Sequence, residues 1–175
     1  MEILPFTFFS QDSEIVDQNL LWKIIQVWDK AWIIFEVEAY KGLCDEASHA
    51  YPKQTSRNTL MYETFWVVYV YLIYWMHYCL NFTSDEQKPW AVLIRWVKDL
   101  KTWKIYDWPW KLTKFFGIDK SFNGMELLTE GFNPLNNKNL IWVFDNKIKI
   151  ENIQKTPRIW IKKATDKKWR FICEV

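Results

Sequence analysis

Apolar residues recur at three- and four-residue spacing in the N-terminal part of the chain, as they do on one face of an amphipathic helix. Ile15, Leu20 and Ile24 belong to this series, and polar residues lie between them at the same period. The pattern predicts a helix over residues 13–41. Gly42 follows directly and suits the C-terminal end of a helix.

One part of this segment also fits a different element. Residues 35–40 read Phe-Glu-Val-Glu-Ala-Tyr, an alternation of apolar and polar side chains that is typical of a strand. Both assignments therefore remain open for residues 31–40. Helix is the assignment carried into the predicted fold. Residues 43–57, with a proline and many small polar side chains, are predicted to form a loop.

Further helices are predicted in the middle of the chain. The Val, Tyr, Phe and Trp content of residues 58–82 is typical of strands. No turn residue interrupts this segment for over twenty residues, however, and strands rarely exceed about ten, so its length favours a helix. Residues 89–104 have an apolar face opposite a charged face, and Pro89 suits a first helical position. A shorter helix is predicted over residues 109–116, ending at Gly117.

The segment between Glu63 and Asp85 also has to be considered as a membrane span. It contains 21 residues without Lys, Arg, Asp or Glu, which is long enough to cross a bilayer. Tyr69, Tyr71 and Tyr74 lie in its middle, whereas membrane spans place Tyr and Trp near the interfaces. A buried core helix is therefore favoured over a membrane span.

The hydrophobic period changes to two towards the C-terminus, after one more helical turn predicted at residues 125–130, before Gly131. From Asn139 onwards four strands are predicted, at Leu140–Phe144, Lys147–Ile153, Arg158–Lys162 and Lys168–Glu174. The predicted fold class is α+β, with a helical N-terminal two-thirds packed on a small C-terminal antiparallel sheet. Residues 1–175 are predicted to form a single domain, helical over about 1–131 and rich in strands over about 139–175.

The cysteines and the N-terminus favour a cytoplasmic protein. Cys44, Cys79 and Cys173 are odd in number and far apart, so a disulfide framework is not expected. The N-terminal residues have no basic region, and Pro5 interrupts their short apolar run, which is unlike a signal peptide.

Tryptophan and glycine are present in unusual proportions, with thirteen Trp and only four Gly among 175 residues. The glycines are too few and too scattered for a dinucleotide fingerprint or a phosphate-binding loop. The Gly-x-Ser-x-Gly, His-Glu-x-x-His, EF-hand and kinase signatures are also absent from the sequence. No cofactor or metal is therefore predicted, and the balance is against an enzyme without excluding one.

Charge is divided unevenly along the chain. Residues 1–87 contain five basic and twelve acidic residues, whereas residues 88–175 contain eighteen basic and nine acidic ones. On the predicted C-terminal strands the basic residues share one face, which is either a solvated sheet surface or a surface for an acidic protein or a nucleic acid. The predicted partner-binding residues are Lys147, Lys149, Arg158, Trp160, Lys162, Lys168 and Arg170.

Four polar residues are candidates for a pocket. Cys44 and His49 lie in the one segment that gathers a thiol, acids and an imidazole, although their spacing matches no metal site. Glu63 and His77 lie on the predicted buried helix, about 21 Å apart along its axis, so they cannot touch each other there. A buried ionisable side chain needs a partner or a shifted pKa, and each could instead be an ordinary hydrogen-bonded core residue.

The leading hypothesis is a small non-enzymatic protein that occupies a partner protein, such as an immunity or inhibitor protein directed at a toxin or nuclease. Its basis is the size, the charge asymmetry and the many Trp residues, which contribute strongly to interfaces when exposed. One alternative is a small-ligand-binding protein or enzyme with an aromatic pocket between helices and sheet. Another is a nucleic-acid-binding protein that uses the basic C-terminal sheet. Oligomeric state is not predicted.

Overall fold

A curled antiparallel β-sheet dominates the computed structural model, in which residues 1–128 and 141–174 are described. Helices and 3₁₀ turns are short. The strands are β1 (Glu2–Ile3), β2 (Ile24–Val27), β3 (Lys30–Tyr40), β4 (Val68–Ile73), β5 (His77–Ser84), β6 (Trp90–Asp99), β7 (Ile105–Tyr106), β8 (Ile141–Asp145), β9 (Gln154–Thr156) and β10 (Arg170–Ile172). The helices are α1 (Ser13–Leu20), α2 (Thr59–Glu63) and α3 (Pro109–Phe116), and 3₁₀ turns lie at Phe6–Phe8, Gly42–Cys44 and Lys120–Phe122.

Strand β3 is the centre of the sheet, whose neighbours follow the order β1-β8-β2-β3-β6-β5-β4. One edge of β3 pairs first with β2 and then with β10, and the other edge pairs with β6. The β3–β6 register shifts around Glu36, which faces Trp96, so a bulge bends the strand there. Helix α1 packs on β3, and α3 packs on β5 and β6.

The core lies between this sheet and the helices that cover it. Burying apolar side chains supplies most of the stabilisation of such a fold, at about 25 cal/mol per Å² of apolar surface. Fully buried members of the core include Leu20 of α1, Ile34 and Val37 of β3, Leu80 of β5 and Phe171 of β10. Because α1 and β10 both contribute, the two ends of the chain close over the same central strand.

The predicted fold class is wrong, because most of the predicted helical part forms strands. The helix predicted over residues 13–41 is α1 only as far as Leu20, after which the chain forms the β2–β3 hairpin. The helix predicted over residues 58–82 is the short α2 followed by the β4–β5 hairpin, and residues 89–104 are mainly β6. The helix predicted at Pro109–Phe116 is confirmed as α3, with Gly117 in the left-handed conformation at its end.

The turns explain why these strands were missed. Trp28 lies between β2 and β3, Tyr74 and Trp75 lie between β4 and β5, and Trp103 lies between β6 and β7; all four have positive φ. Turns of this kind usually contain Gly, Asn or Asp, which makes them recognisable in a sequence. Because Tyr74 and Trp75 stand at its turn, the β4–β5 pair in particular resembles one uninterrupted apolar segment.

The predicted C-terminal sheet is also only partly present. Within the described residues, strands occur in the first and last of the four predicted segments, as β8 and β10. Residues 147–153 and 158–162 do not form strands, and β9 lies between them. The helical turn predicted at residues 125–130 is not formed at residues 125–128, where Glu126 and Leu128 make isolated β-bridges to Val67 and Trp142. Residues 129–130 and the predicted boundary at Asn139 lie outside the described residues. The assignment of residues 1–175 to one domain stays a prediction.

No helix in residues 1–128 or 141–174 is long and apolar enough to cross a membrane. The charge-free segment between Glu63 and Asp85, which was predicted to be one buried helix, is the β4–β5 hairpin instead. Its alternating side chains explain how Tyr residues occur in its middle, because successive residues of a strand point to opposite faces of the sheet.

Candidate active site

Three polar side chains project from one face of β3. Glu36, Glu38 and Tyr40 are two residues apart, and alternate residues of a strand point to the same side of a sheet. Both carboxylates are fully buried. A buried carboxylate must be hydrogen-bonded or paired with a cation, so the groups around these two acids define the site.

Glu38 is held by three donors. Its Oε2 accepts hydrogen bonds from the Tyr40 hydroxyl at 3.0 Å and from Arg95 Nη1 at 3.4 Å, and its Oε1 accepts one from the Ile159 backbone N–H at 3.0 Å. Burial raises the pKa of Glu38, and Arg95 and the two other hydrogen bonds only partly offset that effect. Glu38 is therefore a fixed carboxylate that binds a proton more readily than an exposed glutamate.

Glu36 holds two arginines in place. Its Oε1 accepts from Arg95 Nε at 2.6 Å and from Arg170 Nε at 2.7 Å, while its Oε2 accepts from Arg170 Nη2 at 3.1 Å. Arg95 of β6 thus lies between Glu36 and Glu38, and Arg170 of β10 approaches Glu36 from the other side. Bidentate contacts of this kind fix the plane of a guanidinium.

A second buried ion pair lies beside Tyr40. Both guanidinium Nη atoms of Arg158 donate to the Asp45 carboxylate, at 2.6 and 2.7 Å, and neither side chain is exposed. The Arg158 guanidinium carbon also lies 4.5 Å from the centroid of the Tyr40 ring. Asp45 and Arg158 thereby connect the loop after β3 to the segment that carries Ile159, the backbone donor to Glu38.

An open cleft of about 590 Å³ lies in front of these groups. Glu36, Glu38, Tyr40 and Arg95 together form what is called the acid cluster. Tyr40 and Arg95 line the cleft from this cluster, Tyr71 and His77 line it from the β4–β5 hairpin, and Arg57 lies at its edge. A volume of this size is typical of small-ligand sites. Glu38 itself lies behind Tyr40, Arg95 and Ile159, each of which contributes to the cleft wall.

An aromatic pocket extends from the cleft. Its volume is about 20 Å³. Tyr40 and Tyr71 line both cavities, and the rest of the pocket is lined by His49, Met61, Tyr69, Asn81 and Ala91. The His49 ring meets Tyr71 edge to face at 4.3 Å, and its Nδ1 is 3.0 Å from the Tyr69 hydroxyl. Burial, together with the charge of Arg57, lowers the pKa of His49 to about 4, so this imidazole is neutral at pH 7.

The hairpin that carries Tyr71 ends in an exposed tip. Tyr74 lines the cleft and is 73% exposed, and it occupies the turn between β4 and β5. Leu72, Trp75 and Met76 beside it are exposed as well, and an exposed apolar patch of this kind marks a contact site for another molecule. Within the described residues, no cluster of His, Cys, Asp and Glu could hold a metal ion.

The family model for methylpurine-DNA glycosylase matches residues 7–175. The chain belongs to the methylpurine-DNA glycosylase family. A Rickettsia felis protein that carries the name 3-methyladenine DNA glycosylase is 39% identical over 172 residues, covering 97% of this chain and 92% of that relative. Proteins with the same name from Ehrlichia ruminantium and Rickettsia bellii are 35% and 32% identical, covering 97% and 98% of this chain and 88% and 93% of the relatives.

Membership of a methylpurine-DNA glycosylase family overturns the leading hypothesis from sequence. The chain is not a non-enzymatic immunity or inhibitor protein, because the family and its named relatives indicate a DNA repair enzyme. The predicted toxin or enzyme partner is likewise wrong. Binding to nucleic acid, one of the sequence-based alternatives, is consistent with a glycosylase.

The glycosylase fold separates the predicted partner-binding residues. Lys147, Lys149, Lys162 and Lys168 are exposed, and Trp160 is 73% exposed, but these residues do not share one sheet face, because their segments are not neighbouring strands. Arg158 and Arg170 point inward, to Asp45 and Glu36. The expected open basic sheet is thus absent from the described residues, while the part of these side chains in binding a partner stays a prediction.

The four predicted pocket residues have separate locations. His49 lines the aromatic pocket, and His77 lines the cleft with its ring stacked 4.5 Å from that of Trp110. Glu63 is exposed and accepts a hydrogen bond from Gln54. Cys44 is exposed, and its thiol donates to the backbone oxygen of Lys41. The structure therefore brings two of the four to the cavities.

The residues that form the acid cluster were missed by sequence reasoning. Glu36, Glu38 and Tyr40 lie in the segment whose period-two alternation indicates a strand. The helix predicted there instead would place these three side chains on different sides of its axis. Arg95 was placed on the polar face of a helix. A strand assignment for residues 35–40 would have shown the two carboxylates and the phenol on one face, although not the arginines that pair with them.

Proposed function

We propose that the protein is a DNA glycosylase that removes alkylated purines by hydrolysing the bond between the base and its deoxyribose. The observation that carries this proposal is the placement of Glu38. It is a fully buried carboxylate with a raised pKa, held by Tyr40 and Arg95 directly behind the wall of an aromatic cleft. Carboxylates in such surroundings are suited to general base catalysis.

Recognition of the base is assigned to the cleft where Tyr40 and Tyr71 line it, because the aromatic pocket behind them, at about 20 Å³, is too small for a purine. A purine methylated on a ring nitrogen carries a positive charge, and the faces of Tyr40 and Tyr71 would attract it through cation–π interaction. The neutral imidazole of His49 adds a third ring without a repelling charge. Asn81, which is buried and donates to the Tyr69 backbone oxygen, gives the pocket a polar group next to these rings.

Glu38 would then act on water. For this step a water molecule has to reach the buried Glu38 from the cleft, past the Tyr40 and Arg95 side chains that line it. The water loses a proton to the carboxylate as its oxygen bonds to the anomeric carbon. The bond from that carbon to the purine nitrogen breaks, and its electron pair leaves with the base, which neutralises the positive charge of the alkylated ring. Free base and an abasic deoxyribose result, with one water consumed. Arg95 restrains the Glu38 carboxylate while this happens.

Access to a base within duplex DNA requires that the nucleotide leave the stack. Tyr74 is placed to enter the duplex in the space that the extruded nucleotide leaves, because it is exposed at a hairpin tip directly beside the cleft. Side chains inserted between base steps compensate for part of the stacking that is lost. Arg57 at the cleft edge and the net positive charge of residues 88–175 favour binding to the phosphate backbone.

The test is release of free base from methylated duplex DNA, measured by chromatography together with cleavage of the abasic product. Glu38→Gln keeps the size of the side chain and removes the base, so single-turnover release should fall by about 10²–10⁴-fold. Glu63→Gln, which changes an exposed glutamate outside both cavities, serves as the matched control and should release base at the unmodified rate. Undiminished release by Glu38→Gln would contradict the assignment.

The site also bears on the remaining sequence-based predictions. A pocket lined by aromatic side chains was predicted between helices and sheet, and the proposed site lies in such a cleft, on the face of β3. A cytoplasmic location stays part of this proposal, since a repair enzyme has to share a compartment with its DNA.

A further inference from the structure

Tryptophan occurs repeatedly in a backbone conformation that a bulky residue rarely adopts. In the described residues, Trp22, Trp28, Trp66, Trp75, Trp103 and Trp160 all have φ between +56° and +65°. A non-glycine residue with positive φ is uncommon, and a large side chain there is a clear outlier, because its Cβ crowds the following carbonyl oxygen. These six tryptophans are called the left-handed tryptophans below.

Two of the six, Trp28 and Trp75, lie in hairpin turns that favour glycine. Trp28 is the first of two residues that join β2 to β3, and the second, Asp29, does not have positive φ. That combination belongs to the hairpin turn that has glycine at its first central position. Trp75 follows Tyr74 with positive φ at both, closed by a 3.1 Å hydrogen bond from the Met76 N–H to the Ile73 oxygen, which is the turn in which Asn-Gly predominates.

Packing gives no reason for tryptophan at three of these positions. Trp75, Trp103 and Trp160 are 95%, 63% and 73% exposed, so they bury little surface in return for a strained backbone. Trp28 is 44% exposed, whereas Trp22 and Trp66 are half-buried and pack against the core. Within the described residues, every exposed tryptophan is one of the left-handed tryptophans. The tryptophans with ordinary φ are instead buried or half-buried, as Trp169 is beside Lys41 and Arg158.

The glycine content of the chain points in the same direction. Ordinary composition would give about twelve glycines in a chain of this length, because glycine makes up about 7% of residues. There are four, against thirteen tryptophans. Gly42, Gly117 and Gly124 also have positive φ, so the described glycines and the left-handed tryptophans share one backbone conformation.

We infer that the six left-handed tryptophans occupy glycine positions of the fold and that the protein made in its own host carries glycine there. A codon that one organism reads as glycine and another reads as tryptophan would exchange the two residues wherever it occurs. The six positions are far apart in the sequence and share only the need for a residue without a Cβ. A reassigned codon explains why tryptophan is abundant and glycine scarce in the same chain.

The direct test is to purify the protein from the organism that carries the gene and to sequence its peptides by mass spectrometry. Glycine at positions 22, 28, 66, 75, 103 and 160 is the expected result. Tryptophan at these positions would overturn the inference. Because this readout is a residue identity, it does not depend on whether the protein proves to be a glycosylase.

A second test measures how strongly the backbone conformation at these six positions requires a residue without a Cβ. The chain with the six tryptophans is compared with Trp→Gly and Trp→Ala versions, singly and together, by thermal unfolding. At the exposed positions 75, 103 and 160, each Trp→Gly exchange should raise the midpoint by about 2–8 °C, because it relieves a left-handed residue without removing many buried contacts. Trp→Ala should gain less, since alanine keeps the Cβ. Equal stability of the Gly and Ala versions would refute the requirement, and Trp169→Gly, at an ordinary φ, should lower the midpoint.

Discussion

The Tyr40 hydroxyl donates a 3.0 Å hydrogen bond to Glu38 Oε2 from two residues along the same strand. This bond favours the ionised carboxylate, whereas burial favours the protonated one, and burial prevails. Since a general base works only when ionised, base release should increase with pH through the raised pKa of Glu38. The acidic limb of the pH profile should therefore lie above the range of an exposed glutamate.

Removing this hydrogen bond should move the acidic limb further. Tyr40→Phe deletes one donor to Glu38, which is worth about 1.5–3 kcal/mol to a charged acceptor, or about 1–2 pKa units. The limb of the single-turnover rate should shift to higher pH by up to that amount, with less activity at mildly acidic pH. Tyr62→Phe is the control, because the Tyr62 hydroxyl donates to the Ala50 backbone oxygen instead. An unmoved limb in Tyr40→Phe would contradict the role of the phenol.

Arg170 should act on Glu38 from outside the cleft. Without Arg170, Glu36 would keep Arg95 as its remaining guanidinium partner and draw it away from Glu38. Arg170→Ala should thus shift the acidic limb of the pH–rate profile to higher pH and lower kcat, while KM stays constant. Arg170→Lys should restore part of the effect, and Lys168→Ala, an exposed neighbour, should change neither parameter. A rise in KM alone would show that Arg170 contributes to binding and not to positioning.

Asp17 is a buried acid whose removal should stabilise the protein. It lies in α1, fully buried, and neither carboxylate oxygen has a hydrogen-bond partner in the described structure. Burial first, and then the negative charge of Glu38, raise its pKa well above the ordinary value. The folded state therefore holds this proton more tightly than the unfolded state. Stability should fall as pH rises above the unfolded pKa and continue to fall until the folded pKa is passed.

Asp17→Ala removes this pH dependence of stability together with the buried carboxyl group that has no hydrogen-bond partner. The free energy of unfolding at pH 7 should increase by about 1–3 kcal/mol, which is the cost of leaving a buried polar group unpaired. Urea denaturation at several pH values measures both effects. Asp29→Ala, at an exposed turn position, should leave the pH dependence as it was. A destabilised Asp17→Ala protein would mean that the carboxyl group makes a favourable contact after all.

The Asp45–Arg158 pair should be costly to break. Asp45→Ala leaves the buried Arg158 guanidinium without its carboxylate, and unpairing a buried ion pair typically costs about 3–5 kcal/mol. The same denaturation assay applies. Asp166→Ala breaks an exposed pair with Lys167 and should give no measurable change. Equal effects of the two variants would show that Arg158 finds another partner.

Tyr74 should matter for duplex DNA in particular. Tyr74→Ala removes a ring that could replace the extruded base in the stack, a contribution of about 1–3 kcal/mol for aromatic stacking. Base release from duplex should fall by about 10- to 100-fold at subsaturating enzyme. Release from the same oligonucleotide as a single strand, in which less stacking has to be broken, should change far less. A similar loss on both substrates would assign Tyr74 to general binding.

Local patterns predicted some elements of this fold and misassigned others. Helix α3 could be predicted because Pro109 starts it and Gly117 ends it, and both signals are intrinsic to those residues. The β4–β5 hairpin could not, because Tyr74 and Trp75 occupy a turn that normally carries Asn-Gly. If glycine stood at position 75, the turn would have been visible in the sequence.

Less of the candidate site than of the fold could be predicted from the sequence. His49 could be named because it is one of two histidines, but its neighbour Tyr69 is twenty residues away in sequence. The Glu36–Arg170 contact joins residues 134 positions apart. No local pattern encodes such a pair, because it depends on β10 lying beside β3 in the sheet.

The β4–β5 hairpin has a mechanical consequence. Tyr71, which lines the cleft and the aromatic pocket, and Tyr74, in the turn that ends β4, are only three residues apart, about 10 Å at most along the chain. If Tyr71 contacts the extruded base and Tyr74 enters the duplex, as proposed, this short covalent connection would couple the depth of insertion to the position of the base.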